Sequence, residues 1–247
     1  MIRQRRDQGF GKSFGFATPR AIQHSKAMHV EARSPNGRKF RLAAEGVVLF
    51  IGLPAVTALI PALVIPVLVV MAVGCSWVLH RRHGVRWESL VGRPVSGLEW
   101  RRILILYLVA VPALLGFLWL GKPANLFLLP RAHPRVWLLV MVAYPLISVI
   151  PQELIYRVFL FARYRPLLGH GRGMVLASAM VFAFGHIVFH NWLAVGLTFL
   201  GGLLFATTYR RTGSLWAVAV EHALYGCAIF TLGFGEFFYA GTLRWFH

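Results

Sequence analysis

Residues 43–79 read AAEGVVLFIGLPAVTALIPALVIPVLVVMAVGCSWVL, and Glu45 is the only charged side chain among them. As one helix this run would be about 55 Å long, far beyond the ~30 Å hydrocarbon core of a bilayer. Pro54, Pro61 and Pro66 interrupt it, and proline removes a backbone donor and clashes with the turn before it. The stretch therefore predicts two membrane spans, 43–60 and 61–79, joined by a tight turn.

The rest of the chain fits that reading. Of 247 residues, 57% are hydrophobic and 14% charged, with a mean hydropathy of +0.64, whereas a soluble domain carries about 25% charged residues. Further apolar runs predict spans at 103–121, 136–161, 173–190, 192–209 and 214–232. The fold class is thus all-α, a polytopic transmembrane bundle of about seven helices. Four regions are expected: a basic tail 1–42, N-terminal transmembrane helices 43–130, a core 131–232 and an aromatic tail 233–247. Cys75 and Cys227 both lie in apolar runs and read as small buried hydrophobes, with no disulfide framework or CxxC metal site.

The net charge is +18, and ten of the 26 Lys and Arg precede Leu42. No apolar h-region adjoins the basic start, so the tail does not read as a signal peptide. Nor does it offer the patterned basic face of a nucleic-acid module. It is expected to lie in the cytoplasm against anionic lipid headgroups. With the N-terminus inside, the loops 80–102, 162–172 and 210–213 carry most remaining positive charge, while Lys122, Arg131 and Arg135 fall outside. One orientation thus satisfies the positive-inside rule throughout. The expected location is a bacterial inner membrane.

Inside this apolar chain sit a few ionisable side chains. A charge at membrane depth costs about 2.5–3.5 kcal/mol on insertion scales, so such groups mark function by default. Gln152, Glu153 and Arg157 share the fourth span, His186 and His190 the fifth, and Glu221 and His222 the seventh. Glu153 and Arg157, four apart, share a helix face and can pair, which could also be a purely structural staple. His186 and His190 have the spacing of zinc ligands in HExxH, but the sequence is HIVFH without its glutamate. His190 reads as interfacial and His186 as functional. Glu221 and His222, as neighbours, point about 100° apart and cannot both face one cavity equally.

Several chemistries are excluded. The chain has no Gly-rich phosphate loop, GxSxG elbow or SxxK, and aspartate occurs only at Asp7, so an intramembrane aspartyl dyad is impossible. What remains is a kit for activating water and stabilising an oxyanion.

These residues resemble the CPBP family of intramembrane proteases, which includes the type II CAAX prenyl endopeptidases and bacteriocin-processing or immunity proteins. Its pattern is Glu-Glu-x-x-x-Arg, Phe-x-x-x-His and His-x-x-x-Asn on separate helices. Here these read Gln152-Glu153-Leu-Ile-Tyr-Arg157, Phe182-Ala-Phe-Gly-His186 and His222-Ala-Leu-Tyr-Gly226. The resemblance covers roughly 135–230. It implies a peptide or membrane-protein substrate, hydrolysis by activated water, and catalytic roles for Glu153, His186 and His222, supported by Gln152 and Arg157. It implies no cofactor; zinc held by His186, His190 and His222 is the alternative.

Two positions depart from the pattern. Gln152 stands where the family has its water-activating glutamate, and Gly226 where it has asparagine. An amide can hold water but cannot take its proton. Either Glu153 becomes the base, or the chain is a catalytically silent member that binds or scaffolds a partner. The depths must also agree. With simple boundaries Glu153 lies toward the inner side and His186 toward the outer, and they meet only if the fourth helix continues through Arg165 or the fifth begins later.

Overall fold

The computed structural model describes residues 35–91 and 93–238. Among them it is helical with no strand. Seven helices are long and apolar enough to cross a membrane: α1 Asn36–Leu59, α2 Pro61–His83, α3 Gly97–Gly121, α4 Pro134–Arg163, α5 Arg172–Phe189, α6 Trp192–Thr212 and α7 Leu215–Leu232. The chain is a multi-pass integral membrane protein. Its contacts form two units, Met1–Arg38 and Lys39–His247. Apart from the first turn of α1, the helices belong to the second. Most of the basic tail and the end of the aromatic tail, 239–247, lie outside the described residues.

The break between α1 and α2 falls at Ile60, with φ −130° and ψ 79°. Pro61 then opens the next turn, where a missing N–H leaves no bond unmade. Several helices outrun their expected ends. Residues 36–42 extend α1, His80–His83 extend α2, and α3 starts at Gly97 rather than 103. Long basic side chains can lay their stems along apolar surface while their heads reach water, so polar flanks need not end a membrane helix. The segments expected as plain loops also hold short helices, Trp87–Val91, Leu128–Ala132 and Arg165–Leu168.

The bundle is built around α4. Every residue from Glu153 to Leu160 is buried, the mark of a helix enclosed on all sides. Phe50 of α1, Leu79 of α2, Phe182 of α5, Phe205 of α6 and Val218 of α7 form the core with its Ile155, Val158 and Phe159. Helices α5 and α6 pack closely where Gly202 meets Ala179; a Cβ on Gly202 would lie 2.9 Å from the Ala179 Cα. Outward-facing Val70, Leu108, Leu139 and Leu200 are exposed, as suits lipid rather than water.

Polar ties hold the helix ends. Arg163, ending α4, donates two hydrogen bonds to Glu45 of α1 at 2.9 and 2.7 Å. Glu99 of α3 pairs with Arg102 at 3.1 Å and also with Arg211 of α6. At the opposite ends, Lys122 reaches Glu236 at 2.6 Å, and the Trp137 indole donates to Thr231 at 3.0 Å.

Candidate active site

Helix α4 is irregular where it carries its polar residues. Tyr144–Val149 and Leu154–Phe159 are wide π-helical turns flanking regular Ile150–Glu153. Pro145 and Pro151 lie in and beside the first wide turn, and each removes an N–H that a regular ladder would use. Each wide turn holds an extra residue, which rotates the faces of everything beyond it; such turns concentrate at functional sites. Here Gln152 faces a cavity, while Glu153 turns into the protein and is fully buried.

Buried Glu153 has two partners. Its Oε1 accepts from His222 Nδ1 at 2.7 Å, and Arg157 Nε approaches Oε2 at 3.1 Å. The latter is electrostatic contact without aligned hydrogen-bond geometry, since neither atom has a hydrogen-bond partner. The guanidinium, also fully buried, sits 4.2 Å from the Phe182 ring centroid and 5.5 Å from that of Phe205. Aromatic faces and one carboxylate therefore stand in for water around this cation.

The carboxylate fixes the tautomer of His222. A carboxylate only accepts, so Nδ1 carries the proton, and Nε2 of the neutral ring is an acceptor. The Tyr144 hydroxyl lies 3.0 Å from Nε2 and donates to it. The imidazole also stacks on Phe205, with centroids 4.6 Å apart, and meets Phe182 edge-on at 5.5 Å. His222 is held at both nitrogens and on its faces.

His186 occupies the point where α5 loosens, after Phe184 and Gly185, before a short 3₁₀ turn at Ile187–Phe189. Its Nδ1 donates to the Phe182 carbonyl at 2.7 Å, leaving Nε2 as an acceptor. Gly185 lets this happen, because a Cβ there would collide with the Tyr156 hydroxyl. Gln152 donates from Nε2 to Ser148 Oγ at 2.7 Å, and its Oε1 has no hydrogen-bond partner in the protein.

Gln152, His186 and His222 share a cavity of about 740 Å³ with Tyr144, Ser148 and Tyr156; the remaining wall is almost entirely apolar. That is the size and character of a ligand site. Helix α4 ends at Arg163, short of Arg165, and α5 begins at Arg172, so neither of the expected shifts occurs. Counting back from the end of α4, Glu153 is about 15 Å deep, and His186 is about 21 Å from the start of α5. The two are linked instead through His222, which bonds the one and shares the cavity wall with the other.

The sequence reading set Glu153 at the water. It lies behind His222 instead, and neither it nor Arg157 lines the cavity. His190 is apart, donating to the Ala58 carbonyl at 3.0 Å on the protein surface. No group of three or more His, Cys, Asp or Glu among the described residues is arranged to hold a metal ion. Glu221 turns away from His222, as neighbouring helix positions must, with Arg102 Nη2 at 3.9 Å. Tyr144 and Ser148 escaped notice, although with Gln152 they form polar positions at i, i+4 and i+8 in an apolar run. That spacing suggests one face of a regular helix, and all three line the cavity in the structure.

A seven-helix membrane protein with a buried Arg–Glu–His cluster behind an apolar cavity belongs among polytopic proteins that hold polar chemistry at lipid depth. Residues 134–228 match the family described as Rce1-like, type II CAAX prenyl endopeptidase Rce1-like. The match runs from the start of α4 into α7, less than half of the chain, and contains every polar residue of the site. Over this core the chain is similar to the Rce1-like family of type II CAAX prenyl endopeptidases. No curated protein and no solved structure gives a significant match.

Proposed function

We propose that the chain is an intramembrane endopeptidase of CAAX type, hydrolysing a peptide bond in a peptide or membrane-protein substrate. One observation carries this reading: His186 presents Nε2, an acceptor with its other nitrogen already engaged, to a large apolar cavity shared with Gln152 and His222. A base needs an available lone pair. His222 offers its Nε2 to Tyr144; His186 does not share that tie.

In this mechanism the Gln152 carbonyl, buried without a protein partner at the cavity wall, accepts a hydrogen bond from a water admitted beside it and orients it. His186 Nε2 removes a proton as the water oxygen bonds to the scissile carbonyl carbon. The proton then passes to the leaving amine as the C–N bond breaks. His222, held by Glu153 on Nδ1 and by Tyr144 on Nε2, shapes the polar wall of the cavity and has no proton free for the carbonyl oxygen. Glu153 acts through His222, and Arg157 balances its charge. The apolar remainder of the cavity suits a lipid-modified or membrane-embedded substrate. The N-terminus lies in the cytoplasm, supported by the basic loops, and the basic tail rests on anionic headgroups.

The test is cleavage of a fluorogenic farnesylated CAAX peptide by purified protein in proteoliposomes. His186→Ala is expected to abolish it, and His222→Ala and Glu153→Gln to reduce it strongly. Unchanged cleavage in all three variants would remove this mechanism.

A second reading, a catalytically silent member that binds such substrates, is favoured by one observation: the cavity wall carries an amide at Gln152, and the nearest carboxylate is sealed behind His222. Saturable binding of the peptide by wild-type protein without any cleavage would select it.

A further inference from the structure

Tyr144 and Gly226 pack directly against each other in the cavity wall, and their fit is too close to be independent. A Cβ built on Gly226 would fall on the Tyr144 ring and hydroxyl, 2.5 Å from Cζ and nearer still to Cε1 and Oη. The phenol therefore occupies the space that a side chain at 226 would claim. From that space its hydroxyl reaches His222 Nε2 at 3.0 Å. Gly226 is one helical turn beyond His222, so a polar side chain at 226 would start on the same face. The Tyr144 ring is fixed independently by edge contact with Phe230, with centroids 5.4 Å apart.

We infer that Tyr144 is a positioning residue of the site: its phenol supplies, from α4, the hydrogen bond to His222 Nε2 that an amide at position 226 would supply from α7, and Gly226 is the space it requires. With Glu153 on Nδ1 and Tyr144 on Nε2, the imidazole cannot flip, and its tautomer is fixed from both ends. The α4 side of this arrangement depends on the wide turn beginning at Tyr144, which sets the direction of the phenol. The kinetic consequence rests on the peptidase reading; the hydrogen bond does not.

Two measurements test this. The first is ¹⁵N NMR of histidine-labelled protein in detergent micelles, with His222 assigned from the resonances lost in His222→Gln. Tyr144→Phe keeps the ring and removes the hydroxyl. It is expected to move the His222 Nε2 resonance toward that of an unbonded acceptor nitrogen while Nδ1 stays protonated. An unmoved Nε2 resonance overturns the inference.

The second is kinetic, using the farnesylated peptide in proteoliposomes. Tyr144→Phe is expected to lower kcat about tenfold with KM unchanged, the scale of one lost hydrogen bond. Gly226→Asn alone clashes with the phenol and loses activity. The double variant Tyr144→Ala/Gly226→Asn is expected to exceed both Tyr144→Ala and Gly226→Asn, while Tyr144→Ala/Gly226→Leu, which refills the space without a polar group, gives no recovery. Equal rescue by leucine makes the pair simple packing and overturns the positioning role, as does an unchanged kcat in Tyr144→Phe. A wild-type protein that cleaves no peptide sinks the peptidase reading, and the NMR result then decides Tyr144 alone.

Discussion

Replacing Gln152 by glutamate is the sharpest test of the geometry, because it changes one atom at the cavity wall. Gln152 faces the cavity and donates to Ser148 Oγ at 2.7 Å. A serine hydroxyl can donate as well as accept, so Gln152→Glu keeps this contact with its direction reversed. The other carboxylate oxygen inherits the place of the amide Oε1, which is buried without a protein partner, in a residue that lines the cavity, and becomes a base for a water admitted beside it. A positioned general base contributes about 10²–10⁴-fold, or roughly 3–5 kcal/mol of barrier. Against this stands repulsion from Glu153, the next residue. At an effective dielectric of 20, two carboxylates on the order of 7 Å apart would repel by about 2 kcal/mol, and the Arg157 guanidinium offsets part of that. Because His186 already serves as base, only part of this gain adds, and the expected kcat increase is about tenfold. The new base works only when ionised, so the gain should fade as pH drops through its titration. The assay is peptide cleavage in proteoliposomes across pH, with thermal unfolding in detergent to establish that the variant is folded. A folded Gln152→Glu protein with kcat no higher than wild type would refute the placement of position 152 at the reacting water.

Three further outcomes are expected. Glu153→Gln leaves Arg157 buried among aromatic rings without its counter-charge, which costs about 3–5 kcal/mol; adding Arg157→Met should recover most of the lost melting temperature in detergent, but not the rate. Gly202→Ala pushes a methyl against the Ala179 backbone, 2.9 Å from its Cα. It should lower stability by about 1–3 kcal/mol, read as melting temperature, while leaving KM for the peptide unchanged. Chelation by 1,10-phenanthroline should leave cleavage unaffected, because the chemistry is assigned to side chains; a loss of rate restored by zinc would revive the metal alternative.

The membrane fold was legible because it rests on a collective quantity. Seven apolar runs, each near the length needed to span a bilayer, leave little freedom once the prolines are counted. The break expected between residues 60 and 61 falls there. Pro54, Pro61 and Pro66 look alike in sequence, yet only the Ile60–Pro61 junction departs from helical geometry. Pro54 lies inside α1 directly after the wide turn Val48–Gly52, which accommodates its missing donor, and Pro66 lies in the second turn of α2. The ends of α1, α2 and α3 were misjudged because counting charges treats an arginine as polar throughout, although its stem is apolar.

The site was legible in its members but not in its orientation. Glu153, Arg157, His186 and His222 stand out because ionisable groups at lipid depth need a reason. Tyr144 does not, because a tyrosine counts as apolar in any hydropathy average. Orientation turned on two pairs of neighbours, Gln152–Glu153 and Glu221–His222. In each pair about 100° of helix separates the side chains, so one faces the cavity and the other turns away. For a regular helix the heptad pattern would indicate which; in α4 the wide turns on either side of Ile150–Glu153 shift the phase, and the pattern loses its meaning. The outcome has a chemical logic. A carboxylate left facing an apolar cavity would need a counter-charge there, whereas Glu153 inside the bundle has Arg157 at 3.1 Å and His222 at 2.7 Å. The charge is thereby balanced within the protein, its influence reaches the cavity through the His222 ring, and the groups left to meet a substrate are imidazoles, a phenol and an amide.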